Sequence, residues 1–287
     1  MSQAAANNPM NESHFRLPIG KILLYIVLIA LSAFTLIPFV WMISASLKLD
    51  REVFAFPMKW IPETFHWENY TLIWSKVPML TYFKNTAIIA ICVTFIQTLT
   101  SSFAAYAFAK LNFRGRNVLF LCYIGTIAVP WQAYMLPQFI LMRSMGLYDR
   151  LLAIMVLQAF SAFGVFLMRQ FYQNIPNELC EAARIDGLSE YGIWLRIMLP
   201  LSTAAIATLV IFTFVGTWND YMGPMIYLTR EENKTIQVGL RRFIQENSSD
   251  YHLIMAASVV SLVPVSIVFL ALQRYFIEGI ATSGLKG

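Results

Sequence analysis

The chain has 287 residues, 58% of them hydrophobic and 13% charged, against roughly 45–50% and 25% in a soluble globular domain. Together with a mean hydropathy of +0.59, this is more apolar surface than a fold of this size hides from water, which excludes an ordinary soluble enzyme and points to a bilayer as solvent. The net charge of +5 is not gathered on one soluble segment, so it reads as attraction to lipid headgroups rather than to nucleic acid.

Residues 1–21 are a polar N-terminal segment that runs into an apolar stretch without a short signal core or small-residue cleavage site, which predicts an uncleaved first span. Between Lys21 and Lys48 lie 26 uncharged residues. At about 1.5 Å of rise each they outreach the roughly 30 Å hydrocarbon core, so 22–47 reads as a spanning helix. The charge-free stretches 85–109, 117–142, 151–168 and 251–273 read the same way. The stretch from Ile197 to Thr229 carries one charge, Asp220, and is too long for one straight span. It predicts a fifth span over about 200–222, broken at Gly223-Pro224. The expectation is an all-α integral membrane protein with six transmembrane helices in one domain, 22–273, followed by a tail, 274–287. Both termini then lie on one side, but the 21 basic residues divide ten to eleven between the faces. The short loop from Lys110 to Arg116, with three basic residues, favours termini inside.

Between the spans, the connector Lys48–Lys84 sets Trp60, Trp67, Tyr70 and Trp74 among prolines, and either anchors at the headgroup level or caps the bundle. Cys92, Cys122 and Cys180 show neither metal spacing nor a disulfide pattern and read as packing residues. No metal site is expected. His14, His66 and His252 are far apart, and neither HExxH nor GxSxG occurs. The segment Gly187-Leu-Ser-Glu-Tyr-Gly192 imitates half of a phosphate loop, but Ile193 and Trp194 stand where Lys and Ser or Thr are needed. This chain is therefore not expected to be an enzyme or to hydrolyse ATP. A membrane-embedded enzyme would need a catalytic pair within the spans, and Asp220 alone is thin support even for a proton relay.

Seven of the few charges fall in the loop Arg169–Arg196. Asn174 and Pro176 suit a helix start, Glu178 and Glu181 its early turns, and Gly187 a left-handed end. Ser189 suits the cap of a second helix that stops before Pro200. Spacing puts Leu179, Ala182, Ala183 and Asp186 on one face of the first helix, a small-residue surface that either lies in the interface or admits another protein closely.

The run EAARIDG (181–187), with Ile-x-Leu-Pro beginning at Ile197, resembles the EAA loop of permease subunits in bacterial ATP-binding-cassette importers. TWNDYMGPMIYL (217–228), AKLNFRGRN (109–117), TIQVGLRRF (235–243) and the terminal QRYFIEGIATSGLKG (273–287) are similar to the carbohydrate-importer branch, in particular to the smaller maltose permease subunit. One departure is Thr203-Ala204, where the family often carries Lys-Pro; it alters the helix entrance. The resemblance implies an importer type I permease fold and a cytoplasmic loop 169–196, hence cytoplasmic termini in a bacterial inner membrane. It implies that Glu181, Ala182, Ala183, Asp186 and Gly187 dock on an ATPase subunit, with Glu181 or Asp186 making a charge contact or pairing with Arg184. The implied partners are a second permease subunit, two ATPase subunits that carry ATP and magnesium, and an extracytoplasmic solute-binding protein; no cofactor is implied on this chain. Trp218, Asn219 and Asp220 match a family signature and either line the pathway or cap a broken helix. The tail Gly284–Gly287 either reaches the ATPases or ends disordered. The implied substrate is a sugar or oligosaccharide. Glycerol phosphate, handled by the same branch, would call for buried basic residues that the spans do not obviously offer.

Overall fold

The computed structural model describes residues 19–244 and 250–284; most of the N-terminal segment and the tail beyond Gly284 lie outside the described residues. Among the described residues the secondary-structure elements are all helices. In order run α1 (Ile19–Ser46), α2 (Asn69–Lys76), α3 (Met79–Lys110), α4 (Arg116–Gly125, prolonged by a 3-10 turn to Ala128), α5 (Trp131–Ser144), α6 (Leu151–Leu157), α7 (Ala162–Gln173), α8 (Asn177–Ile185), α9 (Glu190–Leu201), α10 (Thr203–Trp218), α11 (Met222–Tyr227), α12 (Ile236–Leu240) and α13 (Tyr251–Gly284). Three helices, α1, α3 and α13, are each long and apolar enough to cross a bilayer. Three bent pairs meet the same condition together, which allows up to six spans.

The bends correct the expectation of straight spans. The stretch 117–142 breaks at Val129-Pro130 and turns by 99°. Pro130 has no N–H to continue the helix and drives Val129 into an extended conformation (ψ 114°). The stretch 151–168 bends by 45° after Leu157, and Ser161 restarts it by accepting the Gly164 N–H at 3.0 Å. α9 does not stop before Pro200. A π-helical turn at Trp194–Met198 precedes the proline ring, and the break comes two residues after Pro200, at Ser202, where α10 departs at 83°. α10 ends at Trp218, earlier than the expected break at Gly223-Pro224. Those two residues instead open α11, where a missing proline N–H costs nothing. α3 starts six residues before position 85, so Lys84 lies within the helix.

α3 packs against α7 and α10, α10 against α13, and α13 against α1. At the crossing of α3, α7 and α10, a side chain on Gly164 would run into Ser101 and Leu209. Gly164→Val is expected to lower stability by about 1–3 kcal/mol, measured as an earlier thermal unfolding transition in detergent. Outside this core the helices are bare: α1 leaves nearly its whole apolar surface exposed. Cys122 is exposed too, so of the three cysteines only Cys180 is fully packed and Cys92 partly.

The two ends of the bundle differ. At one end the connector after α1 and the segment after α11 form a hydrogen-bonded cap, with Asn85 donating to the carbonyls of Glu232 and Lys234 (2.8 and 2.9 Å) and Lys76 paired with Asp250 (2.6 Å). In the aromatic connector Tyr70 bonds Ser46 at 2.7 Å and Trp60 meets Trp41 edge-on, while Trp60, Trp67 and Trp74 stay exposed. The hub is Asp149, whose carboxylate accepts from Thr229 N (2.8 Å), Arg230 N (3.1 Å) and Arg230 Nε (2.5 Å). Burial pushes this carboxyl up, but the bonds from Arg230, Thr229 and Asn233 outweigh it and hold it well below the usual carboxylate range. With a depressed folded value, its contribution to stability is complete above the unfolded pKa of about 3.9 and disappears only in stronger acid. At the other end lie α8 and the turn 111–115.

Candidate functional site

α8 is nine residues long, too short to hold its shape alone in water, and it is tied down at both ends. Asn174, expected at its start, closes α7 instead, and Pro176 occupies the cap position. Lys110, the last residue of α3, donates to the Ile175 carbonyl (2.5 Å) and to Asn177 Oδ1 (2.7 Å). At the far end Gly187 takes φ 83°, the left-handed turn that glycine enters without penalty. Its N–H reaches Arg184 O and the Leu188 N–H reaches Ala183 O, both at 3.0 Å, which satisfies the carbonyls of the last turn in a Schellman motif.

The faces of α8 divide differently from the expectation. Cys180 and Ala183 are buried against a cluster that includes Tyr172, Ile193 and Met198, with the two sulfurs of Cys180 and Met198 3.8 Å apart. Ala183 therefore seats α8 on its own bundle and is not part of the outward face. Leu179, Glu181, Ala182, Ile185, Asp186 and Gly187 are exposed, Ile185 at 87%. Neither Glu181 nor Asp186 pairs with Arg184. Its guanidinium instead grips Glu190 at the start of α9, Nε to Oε1 at 2.7 Å and Nη2 to Oε2 at 3.2 Å, and Glu190 also accepts from the Tyr106 hydroxyl on α3. One carboxylate thus joins α8, α9 and α3. Ser189 caps α9 as expected, its hydroxyl accepting from Gly192 N at 3.3 Å.

The second feature is a cavity of about 490 Å³. It lies where the first two bent pairs break and α10 gives way to α11: Trp131 and Tyr134 follow the first break, Gln158 and Ser161 flank the second, and Thr217, Asp220 and Gly223 surround the gap between α10 and α11.

Residues 97–282 match the family described as "Binding-protein-dependent transport system inner membrane component". The chain belongs to this family. The permease is 34% identical over 227 residues to the arabinooligosaccharides transport system permease protein AraQ of Halalkalibacterium halodurans, covering 79% of this chain and 81% of that relative. It is 31% identical over 253 residues to the sn-glycerol-3-phosphate transport system permease protein UgpE of Yersinia pestis, covering 85% and 90%. Among solved structures, a bacterial ABC transporter involved in the import of the acidic polysaccharide alginate superposes with a TM-score of 0.79 at 27% identity, over 90% of this chain and 96% of that one. The permease is thus a multi-pass membrane protein of the importer type.

The signature Trp218-Asn219-Asp220 does not act as a unit in the permease. Trp218 is buried, stacked on Phe214, with its indole N–H donating to Ser261 O at 3.0 Å, so it anchors α10 to α13. Asn219 faces out and accepts from Gln237 at 3.2 Å. Asp220 alone lines the cavity, and it also caps α11 by accepting from Gly223 N at 3.1 Å. Its other oxygen accepts from Gln158 Nε2 at 2.8 Å, and Gln158 Oε1 accepts in turn from Thr217 at 2.9 Å. Sequence reasoning missed Ile185 and Glu190 in the loop, and Trp131 and Gln158 at the cavity. The one available signal was Val129-Pro130, a pre-proline break in a stretch otherwise read as straight.

Proposed function

We propose that this permease forms one half of the pathway of a carbohydrate importer and receives the ATP-driven stroke through α8. The observation that carries the reading is the outward face of α8. Leu179, Ala182 and Ile185 offer apolar and small side chains that a protein cleft can bury, Glu181 and Asp186 flank them with unpaired carboxylates among the described residues, and the helix beneath is fastened at both ends. An exposed apolar patch rimmed by charge is what a docking surface requires.

On this reading α8 and both termini are cytoplasmic, and the cap around Asp149 faces outward, where a solute-binding protein delivers the sugar. A second permease subunit completes the pathway, and two ATPase subunits hold ATP and magnesium. Glu181, Ala182, Asp186 and Gly187 belong to the docking face, with Ala183 as its foundation. Closure of the ATPases then moves α8 and the helices fixed to it as a rigid body. Carbohydrate is the substrate class supported by the relative whose name gives arabinooligosaccharides. Deleting the gene for this chain should abolish uptake of the labelled sugar that the cell's solute-binding protein carries, and a plasmid copy should restore it. Uptake that survives the deletion unchanged would sink the reading.

A further inference from the structure

We propose that the turn between α3 and α4 is a headgroup site for an anionic phospholipid, built on Arg114, Arg116 and Arg169. The site goes beyond the import reading and does not depend on what is carried. Residues 111–115 join the end of one apolar span, α3, to the start of the bent pair α4 and α5, which sets them at headgroup depth. The turn and the first residues of α4 line an open concavity of about 550 Å³ whose wall carries Arg114 and Arg116. Arg169, on α7, lays its guanidinium over the Phe120 ring of α4 at 3.9 Å, near enough to Arg116 for the two charges to repel.

None of the three arginines has a carboxylate partner among the described residues, and the stretch 110–118 contains no Asp or Glu. Arg116 donates to the Leu111 carbonyl (3.0 Å) and Asn112 Oδ1 (3.3 Å), and Arg169 to the Phe108 carbonyl (3.2 Å). These neutral oxygens hold the guanidiniums in place without cancelling their charge, so the cluster favours an anion with fork-accepting oxygens such as a phosphodiester. Lys110 is engaged by Ile175 and Asn177 and is not counted in the site. The N–H groups of Asn117 and Val118, in the first turn of α4, meet no acceptor among the described residues and open on the same concavity. They add donors where the helix dipole also favours negative charge. The apolar surface beside the charge makes the anion a lipid. Phe113 on the turn and Val118, Leu119 and Leu121 on α4 are exposed. An acyl chain covers them while its phosphate meets the arginines, whereas a soluble anion leaves them in water. A zwitterionic lipid fits less well, because its cationic group finds no carboxylate at this turn.

The test uses the complete importer in phosphatidylcholine vesicles that contain either photoreactive phosphatidylglycerol or photoreactive phosphatidylcholine with the same acyl chains. After illumination, labelled peptides are mapped by mass spectrometry. Phosphatidylglycerol is expected to label residues 113–121 about fivefold or more above phosphatidylcholine. One arginine at an anionic surface strengthens binding by a factor of about five, so Arg114→Gln with Arg116→Gln should lower that labelling about fivefold or more. Arg114→Lys with Arg116→Lys should keep most of it. Arg143→Gln with Arg150→Gln, which removes the same charge at the opposite end of the bundle, should leave it unchanged. Equal labelling by the two lipids overturns the proposal, and this comparison within the parent stands even where a variant fails to fold. Unchanged labelling in the glutamine pair overturns it equally. Labelling that added inorganic phosphate abolishes assigns the arginines to a free anion instead of a lipid. No label on 113–121 in the parent importer assigns them to an acidic protein surface, and the lipid site falls.

Discussion

Gly187→Pro is expected to abolish uptake, and with it the ATP hydrolysis stimulated by loaded binding protein, while the chain still inserts and accumulates in the membrane. Gly187 sits at φ 83°, and proline is held near −65°, so the turn that ends α8 cannot form. Proline also removes the N–H that reaches Arg184 O at 3.0 Å, and the altered path displaces the Leu188 N–H from Ala183 O. The last turn of α8 then loses its carbonyl partners, and Ile185 and Asp186 leave the docking face. Nothing lies within 4 Å of a Cβ added at this position, so the effect is one of backbone conformation and not of a clash. Gly187→Ala separates the two causes. It keeps the N–H and costs only the left-handed penalty of about 1–2 kcal/mol, so partial uptake should remain. Membrane fractionation with transport and ATPase assays decides the matter; a Gly187→Pro importer with normal uptake would show that the α8 turn plays no part in coupling.

The second large effect is expected at Glu190. Among the described residues its carboxylate bonds both Arg184 on α8 and Tyr106 on α3 while sitting at the start of α9. The ion pair is half-exposed, with side chains 38% and 41% accessible, so its contribution to stability is small, about 1 kcal/mol or less. Its contribution to coupling is not limited in that way. A displacement imposed on α8 reaches α3 only through contacts that do not yield, and among the described residues the side-chain hydrogen bonds that tie α8 to α3 are those of Lys110 on one side and this clasp on the other. Glu190→Ala should therefore leave the chain folded and ATP hydrolysis at half its level or better, while uptake falls tenfold or more. The exchanged pair Arg184→Glu with Glu190→Arg restores an ion pair in reverse and should recover part of the uptake, though not the Tyr106 bond. Uptake within twofold of the parent in Glu190→Ala, measured in proteoliposomes, would remove the clasp from the coupling path.

Much of α8 was legible because its signals are local. Gly187 has the left-handed turn it suits, Ser189 has its cap, and the EAA triplet lies on the helix that Gly187 ends, since capping and φ preferences act within a few residues. The partner of Arg184 was not legible. Glu181 and Asp186 lie nearer in sequence than Glu190, and the choice was made by Tyr106 arriving from a helix 84 residues away to share the carboxylate. The role of Ala183 went the same way. A small-residue stripe does not say which of its members faces the chain's own core, and Met198 and Ile193 settle that from α9.

By itself, the sequence determined that this protein lies in a bilayer, where its hydrophobic stretches fall, and which loop bears its family signature. Those properties follow from composition and from hydrogen bonds closed within single segments, because lipid demands that each span satisfy its own backbone. The tertiary structure decided where the spans break and what the breaks enclose. Val129-Pro130 could be read as a break, but that it meets Gln158 and Asp220 around one cavity depends on three helices packed from distant parts of the chain. Helix ends obey local rules, whereas a binding space exists only between elements, and no segment carries the shape of its neighbours.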